Sequence, residues 1–197
     1  MAAAEAGYLR VLYLDETGFE SWSPPSYSWS RIGEQKRQEQ TRCRKRISLL
    51  GVWEPGQSMT YGLSFSSVTS QTYCQLMRWQ ARQAARHYQR TGVVTVIVQD
   101  NASIHTSRAV QAEVAQWRQQ GLVLFQLPKY CSEMNRIEGE WHQIKAHHIC
   151  GQMFEDPYDL AIGVIGALRE RATLSGHKVT RFNFKTGRSI RSPLMTT

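Results

Sequence analysis

The chain of 197 residues is long enough to bury one hydrophobic core, so its length favours a single main domain. Hydrophobic residues make up 41% and mean hydropathy is -0.45, as in soluble globular proteins; no apolar run reaches the roughly 20 residues that cross a bilayer. The formal net charge of +8 makes a polyanion the natural partner. Membrane-spanning proteins are therefore excluded, and nucleic-acid-binding proteins are favoured.

The first residues have no basic region ahead of a long apolar stretch, which argues against a secretory signal and favours the cytoplasm. The four cysteines form no Cys-x-x-Cys pair, so neither a disulfide framework nor a zinc ribbon is expected. A mixed zinc site is the less favoured alternative; its ligands would be Cys131, His142, His148 and Cys150.

Basic side chains crowd into residues 31–46. They are Arg31, Lys36, Arg37, Arg42, Arg44, Lys45 and Arg46. Such a density predicts contacts with the phosphates of a nucleic acid. The alternative is a solvated, glutamine-rich loop with incidental charge, because charge alone specifies no ligand.

The first third of the chain has the character of an antiparallel meander. Residues 8–14 alternate in hydrophobicity and are rich in β-formers, and we expect this strand to end as it delivers Asp15. Residues 28–32, 47–53 and 60–65 are further candidate strands. The pattern thus predicts a carboxylate at the end of the first strand.

Helix and strand then alternate. Helical spacing runs from a cap at Thr69 or Ser70 to the stop signal at Gly92. The β-branched run at 93–98 is typical of a strand buried on both faces, and it delivers Asp100. A second carboxylate is therefore expected directly after a strand.

The last third predicts an amphipathic helix up to Gly121, a short strand at 122–127 and two more helices. The first of these carries an apolar stripe of Met134, Ile137, Trp141, Ile144 and His148. The second covers residues 160–168, and the chain from residue 176 looks basic and irregular. This order of elements predicts a mixed sheet with helices packed on it.

Three acidic residues are candidates for catalysis: Asp15, Asp100 and Glu138. Clustered carboxylates repel one another, and divalent cations such as Mg²⁺ and Mn²⁺, which prefer oxygen ligands, relieve that repulsion. Two such cations can drive in-line attack on a phosphodiester. Taken singly, each aspartate is more often a turn former or a helix cap.

The strings around these acids resemble motifs of one family. LDETGF, QDNASIH and PKYCSEMNRIEGEWHQIK are similar, in the same order, to the three motifs of DDE transposases of the mariner-like superfamily and its bacterial insertion-sequence relatives. YSWSRIG, followed by basic residues and SLLGVWE, resembles the segment between the first two motifs. The likeness covers roughly residues 9–145.

This resemblance implies an α/β ribonuclease-H-like fold, with a five-stranded mixed sheet flanked by helices, over residues 1–175. Residues 176–197 would be a basic tail, and an N-terminal helix-turn-helix domain would be absent. It also implies a metal-binding triad of Asp15, Asp100 and Glu138, holding two Mg²⁺ or Mn²⁺ ions. The implied activity is cut-and-paste DNA transposition, by phosphodiester hydrolysis at transposon ends and transfer of the 3′-hydroxyl into target DNA.

The same resemblance implies double-stranded DNA as partner, a homodimer in a synaptic complex, and a bacterial, nucleoid-associated location. Two other functions stay open: a catalytically inactive DNA-binding derivative, and a host nuclease of the same fold. The third motif has Lys129, Cys131, Ser132 and Arg136 where prolines or serine are usual, and the loss of prolines would make the approach to Glu138 less rigid.

Neighbouring acids compete with the triad. Glu138 and Glu140 flank the apolar stripe at about equal angles, so periodicity cannot choose between them, although the motif favours Glu138 over Glu140 and Glu133. Glu16 should point away from Asp15 if the backbone there is extended.

Four further residues are expected to support the site. Asn101 and His105 would bond a ligand carboxylate or a DNA phosphate, or else cap and pack locally. Lys129 and Lys145 are expected to contact DNA, whereas Trp141 is expected to pack in the core.

Overall fold

The computed structural model describes residues 7–22, 32, 45–129 and 131–191. These residues form one mixed sheet with helices on both faces. The strands are β1 (Leu9–Glu20), β2 (Arg46–Glu54), β3 (Ser58–Ser64), β4 (Val94–Gln99), β5 (Leu122–Gln126), β6 (Lys178–Asn183) and β7 (Arg188–Arg191). The α-helices are α1 (Ser70–Thr91), α2 (Arg108–Gln119), α3 (Ile137–Ile144) and α4 (Pro157–Leu174). None of these helices has the length and apolarity needed to cross a bilayer.

The strand order across the sheet is β5-β4-β1-β2-β3-β6-β7. The expected meander is confirmed, because β1, β2 and β3 pair antiparallel in succession. β4 and β5 lie parallel on the other side of β1. The candidate strand at 28–32 falls almost wholly outside the described residues. β1 is therefore the strand that pairs antiparallel with β2 on one side and parallel with β4 on the other.

β1 continues past Asp15 to Glu20, so the prediction that this strand ends at residue 14 is wrong. The physical reason is its partner: β2 pairs with β1 from Tyr13 opposite Trp53 to Glu20 opposite Arg46. The backbone at Asp15 is held extended by this ladder. Asp15 consequently lies within a strand and not in a turn.

The sheet separates two hydrophobic cores. Leu14 points towards α1 and α2, where it packs in one cluster with Tyr73 and Trp117. Tyr13 points towards α3 and α4, in a second cluster with Trp141. Burial of each large apolar side chain contributes about 1.5–3 kcal/mol, so both cores hold their helices against β1.

Helix α1 has the ends that the sequence predicts. The Thr69 side chain accepts a hydrogen bond from the Thr72 N–H, and Gly92 ends the helix with a φ of 71°, a left-handed conformation that glycine adopts without strain. The Gly92 N–H donates to the Tyr88 carbonyl oxygen. These caps fix where α1 starts and where the chain turns into β4.

The sheet has seven strands among the described residues, so the expected number of five is wrong, as is the irregular character expected from residue 176. β6 pairs parallel with β3, and β7 pairs antiparallel with β6. The sequence does not predict β6, because the strand contains basic residues and lacks a clear apolar alternation. Phe182 is its one fully buried residue, at 1% exposure. The sheet therefore continues beyond residue 175.

The stripe expected after Pro128 is only partly correct. Ile137, Trp141 and Ile144 are buried, but Met134 lies in a 3₁₀ turn and is 57% exposed. At the other end, the π-helical turn Lys145–Ile149 buries Ile149 fully, whereas the His148 side chain is 12% exposed. A π turn adds one residue per turn, which shifts the buried position from i+4 to i+5.

Candidate active site

Asp15 and Asp100 meet beside the junction of β1 and β4. These parallel strands pair from Leu9 opposite Val94 to Tyr13 opposite Val98, so each aspartate stands two residues beyond the last pair. Both line one cleft of about 570 Å³. Parallel pairing thus brings the first two acidic motifs to the same edge of the sheet.

Glu138 comes to these aspartates from the first turn of α3. Burial, followed by the charges of Glu138, Asp100 and Glu16, raises the pKa of Asp15 to about 7. The pKa of Glu138 is also raised, first by burial and then by the charges of Asp100 and Glu133. The three predicted acids therefore lie within electrostatic reach of one another, although Glu138 itself lines a neighbouring groove with Asn135 and Arg136.

Glu138 and Glu140 have different surroundings. Glu140 is 8% exposed and accepts two hydrogen bonds of 2.9 Å from the Arg171 guanidinium, one on each carboxylate oxygen. Glu138 is half-buried and is affected by the charge of Asp100. Glu140 is thus occupied by a structural ion pair, whereas Glu138 has no such partner among the described residues and interacts electrostatically with Asp15 and Asp100.

In the part of the chain that the structure describes, no three His, Cys, Asp or Glu side chains stand close enough to enclose a metal ion. The donors nevertheless suit a hard divalent cation, because carboxylate oxygens are the ligands that Mg²⁺ and Mn²⁺ prefer. Burial is the main cause of the raised pKa of Asp15, and the charges of Glu138 and Asp100 raise it further; a cation would relieve this repulsion between the carboxylates. The carboxylates of Asp15, Asp100 and Glu138 are therefore chemically suited to Mg²⁺ or Mn²⁺.

His105 is buried between the first two motifs, with 1% of its side chain exposed. Its Nε2 lies 3.0 Å from Glu16 Oε1, and its Nδ1 lies 2.9 Å from Asp100 Oδ1 and 3.3 Å from the Asp100 carbonyl oxygen. Burial by itself lowers the pKa of His105, but Glu16 and then Asp100 raise it on balance. His105 therefore contacts a predicted ligand carboxylate, one of the two roles anticipated for it.

Asn101 has a different neighbour. Its Nδ2 donates a hydrogen bond of 2.6 Å to the Leu127 carbonyl oxygen, which ties the end of β4 to the end of β5. The adjacent Ala102 N–H donates to Asp100 Oδ1 at 3.1 Å. Asn101 thus supports the backbone around Asp100, and its side chain does not bond a carboxylate here.

Sequence reasoning assigned no role to Asn135, although it lies in the third motif. This side chain is 1% exposed, and its Nδ2 donates 2.9 Å to the Leu14 carbonyl oxygen, one residue before Asp15. The Asn135 carbonyl oxygen accepts from the Glu138 N–H. A buried asparagine just before a helix, in a string that carries a candidate acid, was the available signal.

The family is decided by a match over most of the chain. The family model described as DDE superfamily endonuclease matches residues 10–161. The chain belongs to the DDE superfamily of endonucleases. A search among curated proteins found no match.

Solved structures of Mos1 transposase share this superfamily fold. The Mos1 mariner paired-end complex with Mn has a TM-score of 0.66 at 16% identity, covering 89% of this chain and 55% of that one. The Mos1 paired-end complex with the left transposon end has a TM-score of 0.62 at 16% identity, covering 89% and 56%. The Mos1 catalytic domain has a TM-score of 0.59 at 16% identity, covering 89% and 82%. The expected ribonuclease-H-like fold is confirmed, and this chain spans about half the length of the transposase chains in the two complexes.

Within this DDE endonuclease fold, four of the predicted DNA contacts can be described: Lys45, Arg46, Lys129 and Lys145. Arg46 lines the cleft of Asp15 and Asp100, and Gly18 leaves the room for its guanidinium, which a Cβ there would overlap. The Lys145 Nζ lies 5.5 Å from the centre of the Phe19 ring, and Lys145 interacts electrostatically with Asp15. Lys129 is exposed and Lys45 half-exposed.

The other five predicted DNA contacts lie outside the described residues. They are Arg31, Lys36, Arg37, Arg42 and Arg44. Arg46 is therefore the member of the basic segment that the structure places at the cleft.

Arg136 stands where the DDE motif usually has proline. Its guanidinium lies over the rings of Tyr13 and Trp53, at 5.9 and 6.0 Å from their centres. Cation–π contacts of this kind contribute about 0.5–2 kcal/mol. Arg136 thus anchors the start of α3 to the sheet by a contact that proline could not make.

The disfavoured zinc site does not form among the described residues. His148 instead bonds Glu170, with Nδ1 at 3.1 Å from Oε2, and Cys131 and Cys150 carry free thiols.

Proposed function

We propose that this chain is the catalytic domain of a DNA transposase, which hydrolyses phosphodiesters at transposon ends and joins the 3′-hydroxyl to target DNA. The observation that carries the proposal is the clustering of Asp15, Asp100 and Glu138 from three separate motifs: burial, and after it the charges of Glu138 and Asp100, raise the pKa of Asp15 to about 7. Membership of the DDE endonucleases supports it. An inactive DNA-binding derivative and a host nuclease are not favoured.

We assign Asp15, Asp100 and Glu138 to a site for two Mg²⁺ or Mn²⁺ ions. When bound, such ions activate a water or a 3′-hydroxyl and stabilise the leaving oxygen. The protein's own part is to hold three carboxylates from a strand, a strand end and a helix in one place. Arg46 and Lys145 would contact the phosphates that flank the scissile bond, since both lie beside Asp15.

The partners in this proposal are double-stranded DNA, as transposon ends and as target, and a second copy of the chain in a synaptic complex. Mos1 transposase has been solved in paired-end complexes and a strand transfer complex, with Mn in one case and Mg in another, which supports an analogous assembly here. We also propose that the protein is associated with the nucleoid of a bacterium, where such a DNA substrate would lie.

The test is nicking of supercoiled plasmid in Mg²⁺ or Mn²⁺ by the wild-type chain and by Asp15→Asn, Asp100→Asn and Glu138→Gln. Each of these variants should lower the nicking rate at least a hundredfold. Glu140→Gln is the matched control, because it removes a charge from the same helix turn but from the side that binds Arg171. Equal nicking by the wild type and all three triad variants would refute the assignment.

DNA binding supplies a separate test. Affinity for a duplex should fall steeply between low and moderate salt, because phosphate contacts release counterions. Arg46→Ala should weaken binding and make the salt dependence shallower. Binding that is insensitive to both changes would remove Arg46 from the proposed interface.

A further inference from the structure

One buried imidazole links two acidic motifs. With a proton on each ring nitrogen, His105 donates from Nε2 to Glu16 Oε1 at 3.0 Å and contacts Asp100 through Nδ1, 2.9 Å from Oδ1. Glu16 belongs to β1 and Asp100 follows β4, so the chain carries them 84 positions apart. A single side chain therefore connects the residue beside the first predicted ligand to the second predicted ligand.

The ring of His105 is held on its face as well as at its edges. It packs on the Tyr73 ring with centroids 4.8 Å apart, and the Tyr73 hydroxyl donates 2.6 Å to Gln99 Oε1. Gln99 is the last residue of β4, directly before Asp100, and is fully buried. Tyr73 of α1, held by Gln99 of β4, thus supports one face of the His105 ring, while Glu16 and Asp100 contact its two nitrogens.

Glu16 reaches this imidazole because β1 stays extended through it. Successive side chains of a strand point to opposite faces, so Asp15 and Glu16 leave the backbone in opposite directions. The sequence-based expectation that Glu16 points away from Asp15 agrees with this alternation. Glu16 nevertheless bounds the same cleft, 31% exposed, from the side of His105.

We propose that Glu16 is a positioning residue of the metal site: it fixes His105, and His105 in turn fixes the carboxylate of Asp100. This inference rests on the proposed function, because it concerns how the proposed site is held. Glu16 is not itself a ligand. The Ala102 N–H donates a hydrogen bond to Asp100 Oδ1, and His105 Nδ1 lies 2.9 Å from the same oxygen. Asp100 Oδ2 is thus the oxygen that we assign to a cation.

A partner on each ring nitrogen is what makes the support effective. An imidazole held at one nitrogen can rotate about its Cβ–Cγ bond, whereas acceptors at both nitrogens define the ring plane and the direction of each N–H. Residues that orient metal ligands in this way typically change metal affinity by about 10–100-fold when removed.

The experiment is calorimetric titration of Mn²⁺ into the full chain, without DNA. The variants are Glu16→Ala, Glu16→Gln, His105→Ala, the double variant Glu16→Ala/His105→Ala, and Asp100→Asn. The control is Glu20→Ala, which removes an exposed carboxylate at the end of the same strand. Far-UV circular dichroism checks folding, and Glu16→Thr replaces Glu16→Ala if the alanine variant is unfolded.

The expected result is a loss of Mn²⁺ affinity of about tenfold or more in Glu16→Ala. Glu16→Gln should stay within about threefold of the wild type, since its amide oxygen still accepts from Nε2 and outer partners act through that bond. The double variant should bind no more weakly than His105→Ala alone, because both residues act through one contact. Glu20→Ala should bind like the wild type.

Three results would overturn the positioning role. If Glu16→Gln binds Mn²⁺ as weakly as Glu16→Ala, Glu16 acts as a ligand or through its charge alone. If the losses of Mn²⁺ affinity add in the double variant, Glu16 does not act through His105. If Glu16→Ala binds Mn²⁺ as well as Glu20→Ala does, Glu16 has no role at the metal site. If Asp100→Asn loses Mn²⁺ while Glu16→Ala keeps it, only this inference fails. If the wild type binds no Mn²⁺, the proposed function fails and the inference falls with it.

Discussion

Asn135 Nδ2 donates a hydrogen bond of 2.9 Å to the carbonyl oxygen of Leu14, across 121 positions of the chain. The acceptor lies one residue beyond the last pair between β1 and β4. The donor lies three residues before Glu138. This one buried bond therefore ties the strand that carries Asp15 to the turn that starts the helix of Glu138.

Asn135→Ala should destabilise the protein by about 1–3 kcal/mol, because it leaves a buried carbonyl without its partner. It should also weaken Mn²⁺ binding, since Glu138 is no longer held against β1. Urea unfolding and calorimetry measure the two effects. A variant with wild-type stability would show that the bond has no role in joining the motifs.

The two glutamates of α3 should separate by function. Glu140→Gln should lower stability by about 2 kcal/mol, because it breaks a largely buried, bidentate pair with Arg171, and should leave Mn²⁺ affinity unchanged. Glu138→Gln should leave stability close to that of the wild type and should abolish Mn²⁺ binding. If Glu140→Gln abolishes Mn²⁺ binding while Glu138→Gln keeps it, the third acid has been misassigned.

Gly51 lies opposite Asp15 in β2 and makes room for the indole of Trp141, which a Cβ at Gly51 would overlap. Gly51→Ala should push α3 away from the sheet, and it should lower both the melting temperature and Mn²⁺ affinity.

Gly139→Ala is the matched control in α3 itself. A Cβ there meets no atom within 4 Å, and alanine should stabilise the helix by about 0.5–1 kcal/mol. Equal behaviour of the two alanine variants would contradict the close packing of Trp141 on β2.

The raised pKa of Asp15 predicts a pH dependence of stability in EDTA. A carboxyl with a folded pKa of about 7 and an ordinary value of 3.8 stabilises the fold below pH 3.8, and that contribution is lost as pH rises to 7. Asp15→Asn lacks this loss. Its melting temperature should match that of the wild type near pH 4, exceed it by an amount that grows up to pH 7, and stay several degrees higher at pH 8, where about 1 kcal/mol corresponds to 2–4 °C.

Excess Mg²⁺ should close that gap at pH 8, because the cation replaces the proton on the wild-type carboxylate. A gap that is constant between pH 5 and pH 8 would show that Asp15 has an ordinary pKa.

Much of this fold could be predicted from local patterns. Caps at Thr69 and Gly92 set the limits of α1, and the β-branched run before Asp100 forms the buried strand β4. Two predictions were wrong, the end of β1 at residue 14 and the irregular chain from residue 176, because both elements depend on partners distant in sequence. β1 continues past Asp15 because β2 pairs with it, and β6 is a strand because it pairs with β3.

The candidate site divides in the same way. Resemblance to the family's three motifs predicted Asp15, Asp100 and Glu138. Periodicity could not separate Glu138 from Glu140, because Arg171, the partner that distinguishes them, lies in another helix. The pairing of Glu16 with His105 joins β1 to the turn that follows β4, and it leaves no local signature in the sequence.

The central claim is that three carboxylates form one divalent-metal site, and titration of Mn²⁺ into the wild-type chain and into Asp15→Ala, Asp100→Ala and Glu138→Ala tests it most directly. We expect saturable binding by the wild type and its loss in each single variant, with all four proteins folded. A folded wild type that binds no Mn²⁺, or variants that bind as it does, would contradict the account.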